Sequence, residues 1–212
     1  MDRSEQISTF SRFTKVSRET ITSLEHYEKL LIEANKSMNL ISNTTIDSIW
    51  HRHILDSYQV IDFIEKNDKS LIDMGSGAGF PGLVLAIAAK DRNIPLKINL
   101  IEKSPKKKIF LKNVIKELKL NVEVTCENIF NYEKQLIADL FVARAFKPLE
   151  TILKLIHNKV QNLKKFYIYL GKTGKKELLQ ASKSWDIEYK QRMSVTSNDS
   201  FIIEISKLKK IN

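Results

Sequence analysis

The segment 70–82 combines residue types that can hold a small cofactor at the end of a β-strand. A short apolar run ends in Asp73, and the glycines Gly75, Gly77 and Gly79 follow before a second apolar run begins. Glycine adopts backbone angles that are closed to other residues, and it lets a ligand approach the main chain closely. A helix that starts after such a loop presents unpaired N–H groups at its N-terminus. The segment therefore predicts a strand, a cofactor-binding loop and a helix start.

A second acid is expected at the end of the next strand. Glu102 lies 20 positions after Gly82, and in an open parallel sheet ligands bind beyond the carboxyl ends of the central strands. A carboxylate at that place can accept hydrogen bonds from both hydroxyls of a ribose. The glycine loop together with a strand-end acid indicates a cofactor that contains adenosine.

Two cofactors of this kind compete for the loop. Residues 77–82 satisfy the G-x-G-x-x-G pattern of dinucleotide sites, so NAD has to be weighed. Asp73 argues against it, because a carboxylate repels a pyrophosphate and attracts a cationic sulfonium and an amino group. The Asp73-x-Gly75-x-Gly77-x-Gly79 arrangement resembles motif I of S-adenosylmethionine-dependent methyltransferases, and we interpret it as a site for that cofactor. The alternative role of Asp73, as a cap of the loop without ligand contact, stays open.

The loop resembles one methyltransferase family more closely. Residues 73–82 read D-M-G-S-G-A-G-F-P-G and are similar to the D-V-G-S-G-A-G-F-P-G loop of the RsmG (GidB) family. Residues 39–41 are similar to its N-L-T element, residues 50–57 to its W-x-R-H-x-x-D-S helix, and residues 142–145 to its S-R-A strand end. The resemblance spans roughly residues 25 to 180, with these segments in the family's order.

The resemblance implies an enzyme that methylates N7 of a guanine in the 530 loop of 16S ribosomal RNA. It implies S-adenosylmethionine as the cofactor, and 16S rRNA or the 30S ribosomal subunit as the partner. Guanine N7 has an in-plane lone pair and no proton, so its methylation needs no general base, and alignment of the reactants supplies much of the rate. We therefore expect neither a catalytic dyad nor a metal site.

Carried over by position, the family's cofactor contacts fall on five residues. They are Gly75, Phe80, Ile129, Phe130 and Arg144, which join Asp73, Gly77, Gly79 and Glu102 as candidate cofactor-binding residues. Arg144 is also the candidate for positioning the reactants, because its guanidinium can bind in a bidentate way. The family usually has an acid where this chain has Phe130, so a side-chain hydrogen bond to adenine is not expected there.

Four further residues are candidates for contact with the substrate. Arg52 and His53 lie on the helix that is similar to W-x-R-H-x-x-D-S, and Lys103 and Lys106 begin a basic run beside Glu102. A basic run at the ligand edge of the sheet can contact phosphates. The structural alternatives are a solvated face for the lysines and a hydrogen-bonded packing role for His53.

An α/β fold has to position these side chains. Residues 1–69 read as amphipathic helices and predict an N-terminal helical extension packed on the core, with a break after residue 34 and a second helix over about 45–64. Residues 70–212 alternate strands and helices, which predicts a Rossmann-like methyltransferase sheet, mostly parallel, with helices on both faces. We expect strands at 71–74, 97–102, 122–126, 140–143 and 166–170, helices at 81–89, 106–118, 149–163 and 175–182, and an antiparallel C-terminal hairpin with 201–205 as its inner strand.

The composition fits this class of protein. The net charge of +10 suits a polyanionic partner, because Lys and Arg release counterions from phosphates. The single cysteine, Cys126, is expected on an inner strand and indicates a reducing compartment. Because the sequence has no apolar run of membrane-spanning length and no signal-peptide pattern, we expect a cytoplasmic monomer without membrane contact. The alternatives to rRNA methylation are methylation of another RNA, a protein or a small molecule, and a non-catalytic RNA-binding factor with the same fold.

Overall fold

The computed structural model describes residues 1–211 and is built around one seven-stranded sheet. The strands are β1 (Ser70–Met74), β2 (Lys97–Ile101), β3 (Val122–Thr125), β4 (Leu140–Arg144), β5 (Lys165–Leu170), β6 (Trp185–Met193) and β7 (Phe201–Lys210). Their order in the sheet is β3-β2-β1-β4-β5-β7-β6. The first five strands pair in parallel, while β7 is antiparallel to both β5 and β6. The predicted sheet, with its terminal antiparallel hairpin, is confirmed.

Seven helices surround the sheet within the described residues. They are α1 (Arg3–Thr14), α2 (Arg18–Met38), α3 (Asp56–Tyr58), α4 (Gly82–Asp91), α5 (Pro105–Leu118), α6 (Leu149–Lys159) and α7 (Gly174–Ala181). The long helices begin at polar caps: the Asp2 side chain accepts from Glu5 N–H before α1, and the Ser17 side chain accepts from Thr20 N–H before α2. Pro105 occupies the first position of α5, where its missing N–H has no helical partner to lose.

The helices cover both faces of the sheet. Residues on a strand alternate between its faces, and in β4 Leu140 and Val142 belong to one apolar cluster while Phe141 and Ala143 belong to another. The first cluster contains the buried apolar side chains of α1, α2, α4 and α5, and the second contains those of α6 and α7. The sheet is therefore sandwiched between two helical layers, as the alternation of elements predicts.

The N-terminal region packs on the first face. Phe10, Leu31 and Trp50 are buried there in the same apolar cluster as Leu83 of α4 and Leu100 of β2. Apolar area removed from water in this way is the main favourable contribution to folding. The division of the chain into 1–69 and 70–212 stays a prediction about its organisation.

The predicted second helix of the N-terminal region is only partly right: residues 43–63 are helical without a break, but they do not form a single regular α-helix. The structure has a 3₁₀ turn at Asn43–Ser48, a π-helical turn at Trp50–Leu55, the short α3 and a second 3₁₀ turn at Gln59–Phe63. The first turn is capped by Ser42, whose Oγ accepts from Thr44 N–H, and not by Thr45 or Asp47. Apolar spacing predicts the buried face but not the turn type, and π turns are rare and occur often at functional sites.

Two smaller predictions are also wrong. Helix α2 does not break at Asn35 but continues to Met38 and ends where Asn39 adopts a positive φ of 47°. The buried Asn35 side chain instead accepts a hydrogen bond of 2.9 Å from Ile41 N–H in the following segment. Cys126 follows β3, which is an edge strand of the sheet, and is only half-buried.

Within residues 1–211, none of the helices combines the length and the apolar character that crossing a bilayer requires.

Candidate functional site

The glycine loop turns across the ends of β1 and β2. The N–H groups of Gly75 and Ser76 both donate to the carbonyl of Ile101, at 2.9 and 3.2 Å. Gly75, Gly77 and Gly79 have φ values of 75°, 58° and 101°. These φ values are positive, and residues with a side chain rarely adopt that region. The backbone conformation therefore favours glycine at all three positions, most strongly at Gly75 and Gly79, where a Cβ would also clash.

Two of these glycines face different surroundings. A Cβ at Gly75 would lie 2.1 Å from Cδ2 of Phe146, so the ring of Phe146 packs directly on the loop backbone. Apart from its two chain neighbours, the nearest heavy atom of the described residues to a Cβ at Gly77 would be the Gly75 carbonyl oxygen, 3.9 Å away. The loop is thus closed at Gly75 and open at Gly77.

Asp73 lies below the loop and is completely buried. Its Oδ2 accepts a hydrogen bond of 2.9 Å from the N–H of Gly82, the first residue of α4. Its Oδ1 has no hydrogen-bond partner within residues 1–211. Burial raises the pKa of Asp73 to about 7, because the charged form loses its hydration. In this structure Asp73 ties the end of β1 to the start of α4, which is the capping role that the sequence leaves open.

A cavity of about 430 Å³ lies on the open side of the loop, at the carboxyl edge of the parallel strands. Of the residues predicted from the sequence, it is lined by Gly75, Gly77, Phe80, Glu102, Ile129, Phe130, Arg144, His53 and Lys103. Asp73, Gly79, Arg52 and Lys106 are not among the described residues that line it. Open α/β sheets bind their ligands at this edge.

Glu102 braces the loop from the floor of the cavity. Its Oε2 accepts from Gly77 N–H at 2.9 Å and its Oε1 accepts from Ser104 N–H at 2.8 Å. Each carboxylate oxygen can accept more than one hydrogen bond. Glu102 therefore fixes the loop and still offers acceptor capacity to hydroxyl groups of a ligand.

An aromatic wall closes the cavity on the side of β3. The ring of Phe130 stacks on the ring of Phe146, with centroids 5.9 Å apart and planes 15° apart. The Phe130 N–H is already engaged at 3.2 Å by the side chain of Asn128. Ile129 is buried beside it, and Glu127 lines the same wall. A flat apolar surface suits the face of an adenine, and Glu127 places a carboxylate close to the position where the family usually has its acid.

Arg144, at the end of β4, holds the Trp50–Leu55 turn against the sheet. Its Nε donates to Oδ2 of Asp56 at 2.8 Å, and its Nη2 donates to the carbonyl of Arg52 at 2.7 Å. The Arg144 and Asp56 side chains are only 16% and 13% exposed. Nη1 has no hydrogen-bond partner within residues 1–211, and Arg144 lines the cavity. The guanidinium is therefore fixed from one side and retains donors on the other.

The hydrogen bonds of His53 define its protonation state. Nη2 of Arg144 can only donate, so the Nδ1 of His53, 3.2 Å away, must accept. Nε2 then carries the proton and donates to Oγ1 of Thr45 at 2.9 Å, and that hydroxyl donates to the carbonyl of Ser42 at 2.8 Å. Burial and the neighbouring guanidinium of Arg144 lower the pKa of His53 to about 4. The ring is neutral at physiological pH and stacks on Phe80, 5.1 Å between centroids.

Two residues that shape the site, Tyr27 and Phe146, are not among those predicted from the sequence. The hydroxyl of Tyr27 in α2 donates to the carbonyl of Ala78 at 2.6 Å. This hydrogen bond connects the glycine loop to the N-terminal region. Phe146 forms the aromatic wall, and Lys107, rather than Lys106, reaches the cavity lining. Tyr27 lies on the apolar stripe of its helix, but spacing alone does not show that its hydroxyl meets the loop.

The residues of the cavity fit S-adenosylmethionine. Glu102 presents a carboxylate for ribose hydroxyls, and Ile129 and Phe130 present the apolar wall for adenine. The open side of Gly77 leaves room that a Cβ would fill, and Arg144 offers a cationic group for a carboxylate. When bound, this cofactor supplies a methyl group activated by a sulfonium.

Comparison with known proteins decides the family. The family model GidB, described as rRNA small subunit methyltransferase G, matches residues 20–203. The chain belongs to this family. It is 41% identical over 199 residues to a protein of Pelagibacter ubique (strain HTCC1062) named ribosomal RNA small subunit methyltransferase G, and the match covers 93% of each chain. A protein of the same name from Rickettsia akari (strain Hartford) is 39% identical over 198 residues. This match covers 93% of this chain and 99% of that protein.

Solved structures show the same fold at low identity. M. jannaschii TYW2 in complex with AdoMet has a TM-score of 0.55 at 18% identity, covering 77% of this chain and 78% of that chain. M. capricolum TrmK in complex with S-adenosyl-homocysteine has a TM-score of 0.54 at 19% identity, covering 71% and 67%. The family and the fold class predicted from the sequence are confirmed, and a methyltransferase of this family and fold agrees with the predicted cofactor.

Proposed function

We propose that this protein transfers the methyl group of S-adenosylmethionine to N7 of a guanine in the 530 loop of 16S ribosomal RNA. Membership of the rRNA small subunit methyltransferase G family supports the substrate class. The match to the relative from Pelagibacter ubique covers 93% of this chain and 93% of that protein. The protein would act as a cytoplasmic monomer on 16S rRNA or on the assembled 30S subunit.

One observation in the site supports N7 as the acceptor: the groups beside Arg144 cannot remove a proton. Both nitrogens of His53 are engaged, by Arg144 and by Thr45. Both oxygens of Asp56 are engaged as well, Oδ2 by Arg144 and Oδ1 by Ser194 and Thr196. An amine, amide or hydroxyl acceptor loses a proton on methylation, whereas N7 has none to lose. The absence of a free base beside Arg144, among residues 1–211, therefore suits N7.

In this proposal the protein accelerates the reaction by aligning guanine N7 with the methyl group of the cofactor. Arg144 stands at the end of β4, lines the cavity and is held by Asp56 and by the Arg52 carbonyl. A fixed guanidinium can orient a bound reactant without reorganising during the reaction, and correct orientation contributes several kcal/mol to barrier reduction. We assign Arg144 a positioning role, and the cofactor contacts to Gly75, Gly77, Phe80, Glu102, Ile129 and Phe130. Asp73 and Gly79 contribute by holding the loop.

Basic side chains beside the cavity suit an RNA substrate. Lys103 and Lys107 line it, and Lys106 is exposed next to them at the start of α5. Together with the net charge of +10, they favour the phosphate backbone of a structured RNA over a small metabolite.

The test is methylation of 30S subunits from a bacterial strain that lacks this modification. Labelled S-adenosylmethionine is supplied, and N7-methylguanosine is mapped by cleavage of the RNA at that base. We expect one methyl per subunit in the 530 loop. If the labelled methyl group appears on another RNA, on a protein or on a small molecule, that molecule is the substrate and the proposed one is wrong. Binding to 30S subunits without transfer would indicate a non-catalytic factor.

A further inference from the structure

A second cavity, of about 540 Å³, lies on the other side of Arg144 from the cofactor cavity. Two segments contribute to its lining: the Trp50–Leu55 turn and the 194–200 loop, which joins β6 to β7. The rest of the lining comes from Met1, Gln6, Thr45, Ser48, Asp56 and Arg144. Among residues 1–211, His53 and Arg144 are the two that line both cavities, so their side chains separate one cavity from the other.

The lining of the second cavity consists mostly of hydrogen-bond donors. The guanidinium of Arg52 is exposed and has no hydrogen-bond or ion-pair partner within residues 1–211, while its backbone carbonyl is taken by Arg144. Hydroxyls come from Ser48 on one side and from Ser197 and Ser200 on the other. A guanidinium faced by hydroxyl groups is a set that recognises a phosphate.

The acid in this lining, Asp56, is already paired with Arg144, and it makes no ion pair with Arg52 within residues 1–211. Its Oδ1 accepts from the hydroxyls of Ser194 and Thr196 at 3.0 and 3.1 Å, and its Oδ2 accepts from Arg144 at 2.8 Å. Gln59 Nε2 adds a further bond of 3.1 Å to Oδ1. These bonds also fix the 194–200 loop to the turn, so the cavity is formed before any ligand binds.

We propose that the second cavity binds a backbone phosphate of the RNA next to the target guanosine, with Arg52 as its main ligand. The proposal rests on the proposed function. In this arrangement the base of the target nucleoside enters the first cavity beside Arg144, where it meets the methyl group. Its phosphate stays in the second cavity, next to Arg52 and the 194–200 loop. The cavity thus sets how the RNA chain enters, while the first cavity holds the cofactor.

The first test replaces Arg52 by alanine and measures methylation of undermethylated 30S subunits. Loss of a charge-assisted phosphate contact should raise KM for the subunits about tenfold. It should also make the dependence of log(kcat/KM) on log salt shallower by about one. The Kd for S-adenosylmethionine, measured by calorimetry, should stay at the wild-type value, because Arg52 does not line the cofactor cavity.

The matched control is Arg18→Ala. Arg18 is equally exposed but starts α2, next to the Ser17 hydroxyl that donates at 2.5 Å to Asp91, the last residue of α4. That end of α4 is remote from the glycine loop at its beginning. The Arg18 variant should match the wild type in KM and in salt dependence.

A second pair of variants tests the opposite wall. Ser197→Glu places a negative charge across the cavity from Arg52 and should raise KM for 30S subunits about as much as Arg52→Ala, whereas Ser197→Gln should change it less than threefold. Ser197 is exposed in a loop, so both variants should fold. Wild-type KM and salt slope in both Arg52→Ala and Ser197→Glu would overturn the phosphate site while the proposed function stands. Absence of transfer by the wild-type protein would instead overturn the proposed function.

Discussion

The Nε of Arg144 and the Oδ2 of Asp56 form a mostly buried ion pair 2.8 Å long, between residues 88 positions apart in the chain. The same carboxylate accepts the hydroxyls of Ser194 and Thr196. One side chain therefore joins the end of β4, the N-terminal region and the loop before β7. This junction holds Arg144 between the two cavities.

Asp56→Ala should lower the free energy of unfolding by roughly 3 kcal/mol, because it leaves the Arg144 charge mostly buried without a counter-charge. Urea denaturation followed by circular dichroism measures the change. The control is Glu33→Ala, which removes an exposed ion pair with Lys36 and should cost less than about 0.5 kcal/mol. Equal effects of the two substitutions would show that the junction contributes little to stability.

The cofactor side of the site is largely predictable because its determinants are local. Positive φ angles at Gly75, Gly77 and Gly79 favour glycine, so the loop is visible in the sequence. Glu102 is visible because parallel strands end at one edge of the sheet. Both predictions need only the order of strands and the residues at their ends.

The partners of Arg144 are not predictable in the same way. The Arg52 carbonyl accepts from Arg144 although it lies within the π turn at Trp50–Leu55. That turn is stabilised by a contact with β4, which periodicity within one segment cannot show. The position of Asp73 is likewise not predictable from its neighbours in the sequence. Its side chain is buried beneath the loop and does not line the cofactor cavity, and packing in the folded protein determines this.

Gly82→Ala should destabilise the fold although Gly82 does not line the cofactor cavity. A Cβ there would lie 2.3 Å from Cδ2 of Leu100 and 2.6 Å from Oδ2 of Asp73. Overpacking of this kind costs about 1–3 kcal/mol. The control is Gly171→Ala, because a Cβ at Gly171 meets, apart from its two chain neighbours, no heavy atom of residues 1–211 within 4 Å. Its effect should stay within about 0.5 kcal/mol. Thermal unfolding compares the two, and equal melting temperatures would contradict the packing argument.

Gly77→Val should weaken binding of S-adenosylmethionine roughly tenfold or more, equivalent to at least about 1.4 kcal/mol. A branched side chain at a φ of 58° strains the loop, and it fills the open side that faces the cavity. Titration calorimetry measures the affinity, and Gly77→Ala should give a smaller loss. The control is Gly171→Val, placed outside the cofactor cavity. Wild-type affinity in Gly77→Val would place the cofactor elsewhere.

Asp73 should make the protein less stable as the pH rises from about 4 to 7. Its pKa is about 7 in the folded state against an ordinary value of 3.8, so between these values the folded state holds a proton that the unfolded state has lost. Stability then falls with rising pH, by about 4 kcal/mol over the window. His53, with its pKa lowered to about 4, contributes a slope of opposite sign, since stability from its neutral form is lost as the pH falls below 6.5.

Asp73→Asn separates the two contributions. Asparagine is neutral at every pH and keeps an oxygen that can accept from the N–H of Gly82. Urea denaturation between pH 4 and 8 should therefore show that the variant gains stability relative to the wild type as the pH rises, with the difference largest above pH 7. The same variant should bind S-adenosylmethionine within about threefold of the wild-type affinity, because Asp73 is buried below the loop and does not line the cavity. A difference between the two proteins that does not vary with pH would contradict the raised pKa. A large loss of affinity in a folded Asp73→Asn protein would show instead that the carboxylate acts directly on the cationic cofactor.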